Sequence, residues 1–143
     1  MKLTLYIEPV AQGRPRITTV GGYARAYDPT KSKNFKNEIA TLAKYLMTGV
    51  EPLEGALTLS VSVYRSIPKN TSRVKADLME RGVIRPIVKP DVSNYIKGVE
   101  DALNGICWHD DSQIVEYKEP FGKWYSKTPR IVIDINKLES EEK

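Results

Sequence analysis

Alternating apolar residues predict strands near both ends of the chain. A period of two is typical of a strand with one buried face, and it recurs in two segments: Leu3, Leu5 and Ile7, and Leu57, Leu59, Val61 and Val63. ITTVGGYARAY predicts a hairpin around Gly21-Gly22. Gln113 to Tyr117 predicts another strand. Arg130 to Ile135 is apolar at nearly every position, so we expect a central strand there.

Three segments predict helices. The first has apolar residues at helical spacing: Phe35, Ile39, Leu42, Ala43 and Leu46. NTSRVKADLMERG predicts a short helix with Thr71 or Ser72 as its cap and Gly82 at its end. The third is KPDVSNYIKGVEDALNG, Lys89 to Gly105, with its helix beginning near Asp91. The order of elements predicts one α+β domain over residues 1–137, a mixed sheet packed with helices, and an acidic tail over 138–143.

Composition narrows the class of protein. The chain has 143 residues, and no apolar run approaches the roughly 20 that a membrane span needs. We find no signal-peptide pattern, so we expect a cytoplasmic protein without membrane contact. One cysteine and one histidine exclude a structural zinc site, so any metal would be a hard cation held by carboxylates. The net charge of +4 is compatible with nucleic acid as a partner, or simply with a solvated surface.

The third helix has two distinct faces. On a helical wheel the apolar face consists of Val92, Tyr95, Ile96, Val99, Ala102 and Leu103. The opposite face carries Asp91, Asn94, Lys97, Gly98 and Asp101, with Ser93 and Glu100 at the boundary. One interpretation is a solvated face with Asp91 as the N-terminal cap. Asp91 and Asp101 lie about 15 Å apart along the axis and cannot share a cation, so Asp101 is assigned a supporting role.

The loop WHDDSQ makes a metal site the competing hypothesis. Asp110 and Asp111 are adjacent in a loop, where like charges repel. Mg²⁺ usually takes one or two carboxylates together with phosphate and water. Asp91 and one loop acid would suffice if the fold brings them together, and a carboxylate-bound metal in a basic protein suits phosphodiester cleavage.

Several motifs in a fixed order resemble a known family. PVAQGRPRITT and AYDP precede KPDVSNYIKGVEDALNG, and CWHDDSQIVE follows it. Together they resemble the RusA family of Holliday junction resolvases, with the pattern K-P-D-x-D-N-x-x-K-x-x-x-D-A-L-N-G and then D-D-S/A-Q. The resemblance runs from about Pro9 to Glu116, and it is specific because several spaced motifs match.

The resemblance implies a fold, an activity and site residues. It implies a two-layer α+β fold and a homodimeric, Mg²⁺-dependent endonuclease, often prophage-encoded, that nicks two opposed strands of a four-way DNA junction. Mn²⁺ is a plausible substitute, and no small-molecule cofactor beyond the metal is expected. The family's acidic residues correspond to Asp91 and Asp111, and its active-site lysine corresponds to Lys97.

Ser93 departs from the family pattern, which often has a second Asp at that position. Asp110 or Glu116 would then complete the ligand set, or one metal suffices, or the protein binds junctions and cuts poorly. We favour an active enzyme, with Ser93, Asn94 and Asp101 supporting the site. The alternatives are a non-catalytic junction-binding protein and an unrelated α+β protein.

Cationic residues outside the helix are candidates for DNA contact. Arg14 and Arg16 both lie in GRPR, and Arg can bind phosphate with two hydrogen bonds. Further candidates are Lys69, Arg73 and Lys89. A histidine in a loop is more often incidental than a general base, and we expect this of His109. Trp108 is expected to pack under the acidic loop, and Cys107 is expected to be buried.

Overall fold

The computed structural model describes residues 1–10, 16–20, 23–27 and 30–138, and it describes side chains for 1–10 and 33–138. These residues contain seven strands and three α-helices. The strands are β1 (Lys2–Leu5), β2 (Arg16–Val20), β3 (Tyr23–Tyr27), β4 (Leu57–Ser66), β5 (Ile114–Tyr117), β6 (Gly122–Ser126) and β7 (Arg130–Lys137). The helices are α1 (Thr30–Leu46), α2 (Arg73–Glu80) and α3 (Val92–Leu103), and a 3₁₀ turn spans Asp111–Gln113. No helix in these ranges is long and apolar enough to cross a membrane.

Strand β4 is the shared partner within the main sheet. On one side it pairs antiparallel with β7, which pairs in turn with β1, so β7 lies inside the sheet as predicted. On the other side, two short strands lie end to end and parallel to β4: β5 pairs with Leu57–Leu59, and β6 pairs with Ser62–Ser66. The predicted hairpin of β2 and β3 forms a separate sheet, although Gly21 and Gly22 lie outside the described residues.

The core lies between one face of this sheet and the helices α1 and α3. Ile133 of β7 points into it and is fully buried, whereas its neighbour Val132 is only half-buried on the opposite face. Both helices add apolar side chains to the same cluster: Phe35, Ile39 and Ala43 from α1, Met47 directly after α1, and Tyr95, Ile96, Val99, Ala102 and Leu103 from α3. The outer face carries small polar residues, Ser60 and Ser62 among them. The predicted two-layer α+β class is therefore confirmed.

Two features differ from the sequence-based expectations. The pattern does not predict β6, because GKWYS lacks a clear alternation and the strand forms by pairing with a segment some 60 residues away in the chain. Gly98 is buried, so its placement on the polar face of α3 is wrong. A residue without a side chain is covered once a neighbouring element packs closely, and α1 packs against α3. The predicted tail boundary stays a prediction, because residues 139–143 lie outside the described part.

Ile133→Ala and Val132→Ala form a matched pair that tests the one-sided burial of β7. Ile133→Ala removes buried methyl groups and leaves a cavity, so we expect the free energy of unfolding to fall by about 2–5 kcal/mol. Val132→Ala should cost clearly less, because its side chain lies on the outer face. Urea denaturation measures both losses, and equal losses would contradict the placement of the core.

Candidate active site

Asp91 lies immediately before α3, and its carboxylate is exposed. The residue has the extended backbone of an N-cap, with φ −68° and ψ 154°, yet its side chain makes no capping hydrogen bond. An Asp at this position usually accepts a bond from an N–H group of the first turn. Asp91 therefore occupies the cap position without using its carboxylate as a cap, which leaves the carboxylate accessible to a ligand.

Side chains of two strands hold the segment that leads into Asp91. Lys123 of β6 donates hydrogen bonds to the carbonyl oxygens of Val88 at 2.8 Å and Pro90 at 2.9 Å. Arg65 of β4 donates to the carbonyl oxygen of Lys89 at 3.3 Å. These bonds restrain the backbone just before Asp91. Sequence reasoning missed Lys123, because a lysine that binds distant backbone carbonyls leaves no local pattern.

One stripe of α3 combines Ser93, Lys97 and Glu100, spaced four and three residues apart. The three line a surface cavity of about 400 Å³, together with Tyr117 and apolar residues of α3 and the β5–β6 connection. Ser93 and Lys97 are exposed, as is their neighbour Asn94, while Glu100 is half-buried. A hydroxyl, an ammonium group and a carboxylate thus share one concave surface.

Glu100 is the member of this stripe to which sequence reasoning assigned no role. Its carboxylate accepts a hydrogen bond from the Tyr117 hydroxyl. Burial raises the pKa of Glu100, the Tyr117 bond opposes that shift, and the negative charge of Asp111 adds to it.

The loop WHDDSQ folds over Trp108, which is fully buried as predicted. The indole Nε1 donates a hydrogen bond to Oδ1 of Asp111 at 2.7 Å. Gly105, in a left-handed conformation with φ +81°, donates its N–H to the Trp108 carbonyl at 2.8 Å. Cys107 is also fully buried, which confirms that prediction, and burial raises its pKa to about 11. Asp111 is thus attached to the core from beneath.

Asp110 caps the 3₁₀ turn. Its carboxylate accepts hydrogen bonds from the hydroxyl and the backbone N–H of Ser112, and the hydroxyl bond is the main reason that the pKa of Asp110 is lowered. Gln113 accepts the Asp110 N–H at 2.9 Å, and its amide nitrogen donates to the carbonyls of Leu53 and Gly55 at 2.9 and 3.0 Å. These bonds connect the acidic loop to the segment before β4.

Two other candidate residues each lie close to a side chain from another segment at the surface. Asp101 Oδ2 lies 3.7 Å from Nζ of Lys36, which links α3 to α1. His109 Nε2 lies 3.8 Å from Oε1 of Glu54, and both side chains are exposed. The exposed pair fits the interpretation of His109 as a loop residue better than a role as general base.

Three of the five cationic residues predicted to contact DNA have described side chains, and all three are exposed. Lys69 follows β4, Arg73 begins α2, and Lys89 lies two residues before Asp91. Arg16 begins β2, but its side chain lies outside the described part, and Arg14 lies outside it altogether.

The acidic residues in the described part of the chain do not form a cage for a metal. Among residues 1–10, 16–20, 23–27 and 30–138, no group of three or more His, Cys, Asp or Glu is placed to hold an ion. Mg²⁺, however, often takes only one or two protein carboxylates and completes its shell with water and phosphate oxygens. The exposed Asp91 carboxylate and the Oδ2 atom of Asp111 are oxygen donors of this kind. Each residue therefore suits Mg²⁺ as one of a few protein ligands, whereas the described residues supply no all-protein site.

A comparison with known families places this region in context. The model for the family described as endodeoxyribonuclease RusA matches residues 7–136, a range that contains α3 and the acidic loop. A protein of Bacillus subtilis (strain 168), the uncharacterised YqaN, is 43% identical over 140 residues, which cover 96% of each chain. The family model that matches this chain describes a class of endodeoxyribonucleases. The chain belongs to the RusA family, which implies an endonuclease that resolves Holliday junctions.

Glu100→Gln tests the burial of the Glu100 carboxylate. The pKa of Glu100 is raised above its ordinary value of 4.5 in the folded protein. At pH values just above 4.5, the Glu100 carboxyl therefore keeps its proton in the folded protein more often than in the unfolded chain. The free energy of unfolding of the wild type should therefore fall relative to E100Q as the pH rises from about 4 to about 7. Urea denaturation across this range measures the difference.

Glu116→Gln removes an exposed carboxylate of β5 and controls for the loss of one negative charge. A wild-type–E100Q difference that stays constant across the pH range would contradict the raised pKa.

Proposed function

We propose that the chain is a Mg²⁺-dependent endonuclease that hydrolyses phosphodiesters on two opposed strands of a four-way DNA junction, in recombination and repair. Family membership supports the substrate class. The observation that carries the proposal to particular residues is the exposed Asp91 carboxylate, which makes no capping bond. Lys97 follows it by about 9 Å along the same helix, so one helix offers a ligand for a cation and a ligand for a phosphate.

In this proposal Asp91 and Asp111 hold the metal, with Mn²⁺ as a plausible substitute. Bound there, Mg²⁺ would polarise the phosphate and lower the pKa of an attacking water. Asp110 is a further candidate ligand through Oδ1, because only its Oδ2 atom accepts the bonds from Ser112. Ser93 offers a neutral hydroxyl, which is a weaker ligand than a carboxylate for a hard cation.

The chain's own cations bind and orient the DNA. Lys97 is exposed at the cavity beside Ser93, where its ammonium group can contact a phosphate oxygen and offset negative charge. Arg14, Arg16, Lys69, Arg73 and Lys89 are proposed to contact the DNA backbone. Binding that depends on such contacts should weaken steeply as the salt concentration rises.

A homodimer suits this substrate. A four-way junction has approximate two-fold symmetry, and a dimer with the same symmetry presents two sites to two opposed scissile phosphates. Each protomer would then make one nick.

A second candidate function is binding of junctions without cleavage. Two observations favour it: Ser93 replaces the second Asp of the family pattern, and the described residues lack a three-ligand metal group. Purified protein incubated with a synthetic junction and Mg²⁺ separates the two functions. Paired symmetric nicks support the enzyme, whereas a shifted but uncut band supports the binding protein.

Asp91→Asn tests the assignment of the site. We expect cleavage of the junction to be lost, because the amide is a neutral ligand, while binding measured in EDTA by gel shift stays unchanged. Asp77→Asn is the matched control, since Asp77 is an exposed acid of α2 that pairs with Arg81 at 3.4 Å. An Asp91→Asn variant that cuts at the wild-type rate would falsify this assignment.

Ser93→Asp tests whether the natural ligand set suffices, with Ser93→Ala as its control. We expect the wild type to cut and S93D to retain its cleavage pattern, because the added carboxylate lies on the same exposed face of α3. Cleavage that appears only in S93D would identify the natural protein as a junction-binding protein with a degraded site. Quantified nicking over time gives the comparison.

A further inference from the structure

A partly buried hydrogen bond joins Trp108 to Asp111. The indole Nε1 lies 2.7 Å from Oδ1 of the carboxylate, with the ring fully buried and Asp111 half-buried. The indole has one N–H donor and no acceptor, so this bond is its entire polar capacity. Bonds to an ionised carboxylate are shorter and stronger than bonds between neutral groups. The contact is therefore a firm restraint on one oxygen of Asp111.

Trp108 is held in place independently of Asp111. Its carbonyl accepts the Gly105 N–H at 2.8 Å, and its backbone forms a parallel bridge with Leu53, whose N–H donates to Cys107 at 2.8 Å. Its ring is part of the hydrophobic core. Asp111 lies at the surface in the short 3₁₀ turn. The ring therefore restrains the carboxylate, rather than the carboxylate the ring.

We propose that Trp108 is a positioning residue for the candidate active site: its indole N–H fixes Oδ1 of Asp111 and leaves Oδ2 as the oxygen for the cation. The proposal rests on the function proposed above. Without the bond, the Asp111 side chain can rotate among its staggered rotamers, and each turnover must first select the productive one. Removing a hydrogen-bond partner of a metal ligand typically costs about 10–100-fold in metal affinity or activity.

Trp108→Phe is the direct test, because it removes the N–H and keeps an aromatic ring in the core. Trp124→Phe is the matched control: Trp124 is the second of the two tryptophans, and it lies on β6 beneath the guanidinium of Arg85. We expect W108F to need about 10–100-fold more Mg²⁺ for half-maximal cleavage. Junction binding in EDTA should match that of W124F.

A second measurement needs neither cleavage nor a folded W108F. A ¹H–¹⁵N spectrum of the wild type contains two indole signals, and W124F identifies the one from Trp108. We expect Asp111→Asn to shift the Trp108 signal, because an amide oxygen is a weaker acceptor than a carboxylate, and Mg²⁺ to shift it in the wild type. The Trp124 signal should respond to neither change.

The outcomes separate this inference from the proposed function. If the wild type cuts and W108F cuts with the same Mg²⁺ dependence as W124F, the positioning role is wrong and the enzyme stands. If the wild type does not cut, but Mg²⁺ shifts the Trp108 signal and Asp111→Asn abolishes that response, the nuclease proposal fails and the positioning role stands. A Trp108 signal that ignores both Asp111→Asn and Mg²⁺ overturns the inference, whatever the protein cuts.

Discussion

The rotation of α3 about its own axis is the constraint on which the candidate site depends. Its apolar stripe is buried against the sheet and α1, and exposing even one such large side chain would cost about 1.5–3 kcal/mol. The helix can therefore present only the opposite side to solvent. The buried side chains of α3 thus determine which residues line the cavity, namely Ser93, Lys97 and Glu100. The buried side chains are those of Tyr95, Ile96, Val99, Ala102 and Leu103.

The two central acids are supported in different ways. Asp91 is restrained through its backbone, because Lys123 holds the carbonyls that precede it, and its carboxylate makes no capping hydrogen bond. Asp111 is restrained through its side chain by the indole of Trp108. The Asp91 carboxylate therefore lacks the side-chain restraint that the Asp111 carboxylate has.

Local patterns in the sequence were sufficient to predict most helices and strands. They were insufficient to predict the side chains that hold the candidate site in place. The buried stripe of α3 repeats at helical spacing, and the residues that end the helices are visible in the chain, so these elements were predicted. Strand β6 forms by pairing with β4, and the roles of Lys123 and Gln113 are bonds to distant carbonyls. Such contacts depend on tertiary arrangement, which periodicity does not contain. Glu100 was missed because its importance comes from Tyr117 and Asp111, neither of which is a helical neighbour.

Strands β5 and β6 pair with successive parts of β4. The number of residues in β4 between these two parts therefore sets the distance between the supports of Asp91 and Asp111. The loop with Asp111 leads directly into β5, which begins opposite Leu57, whereas Lys123, which holds the approach to Asp91, pairs with Val63. The supports of the two acids thus pair with residues of β4 that are six positions apart, Leu57 and Val63. A single residue inserted into β4 between them would move one support relative to the other by about 3.3 Å, more than the length of a metal–oxygen bond. Relatives that differ in length should therefore carry their insertions outside this stretch of β4.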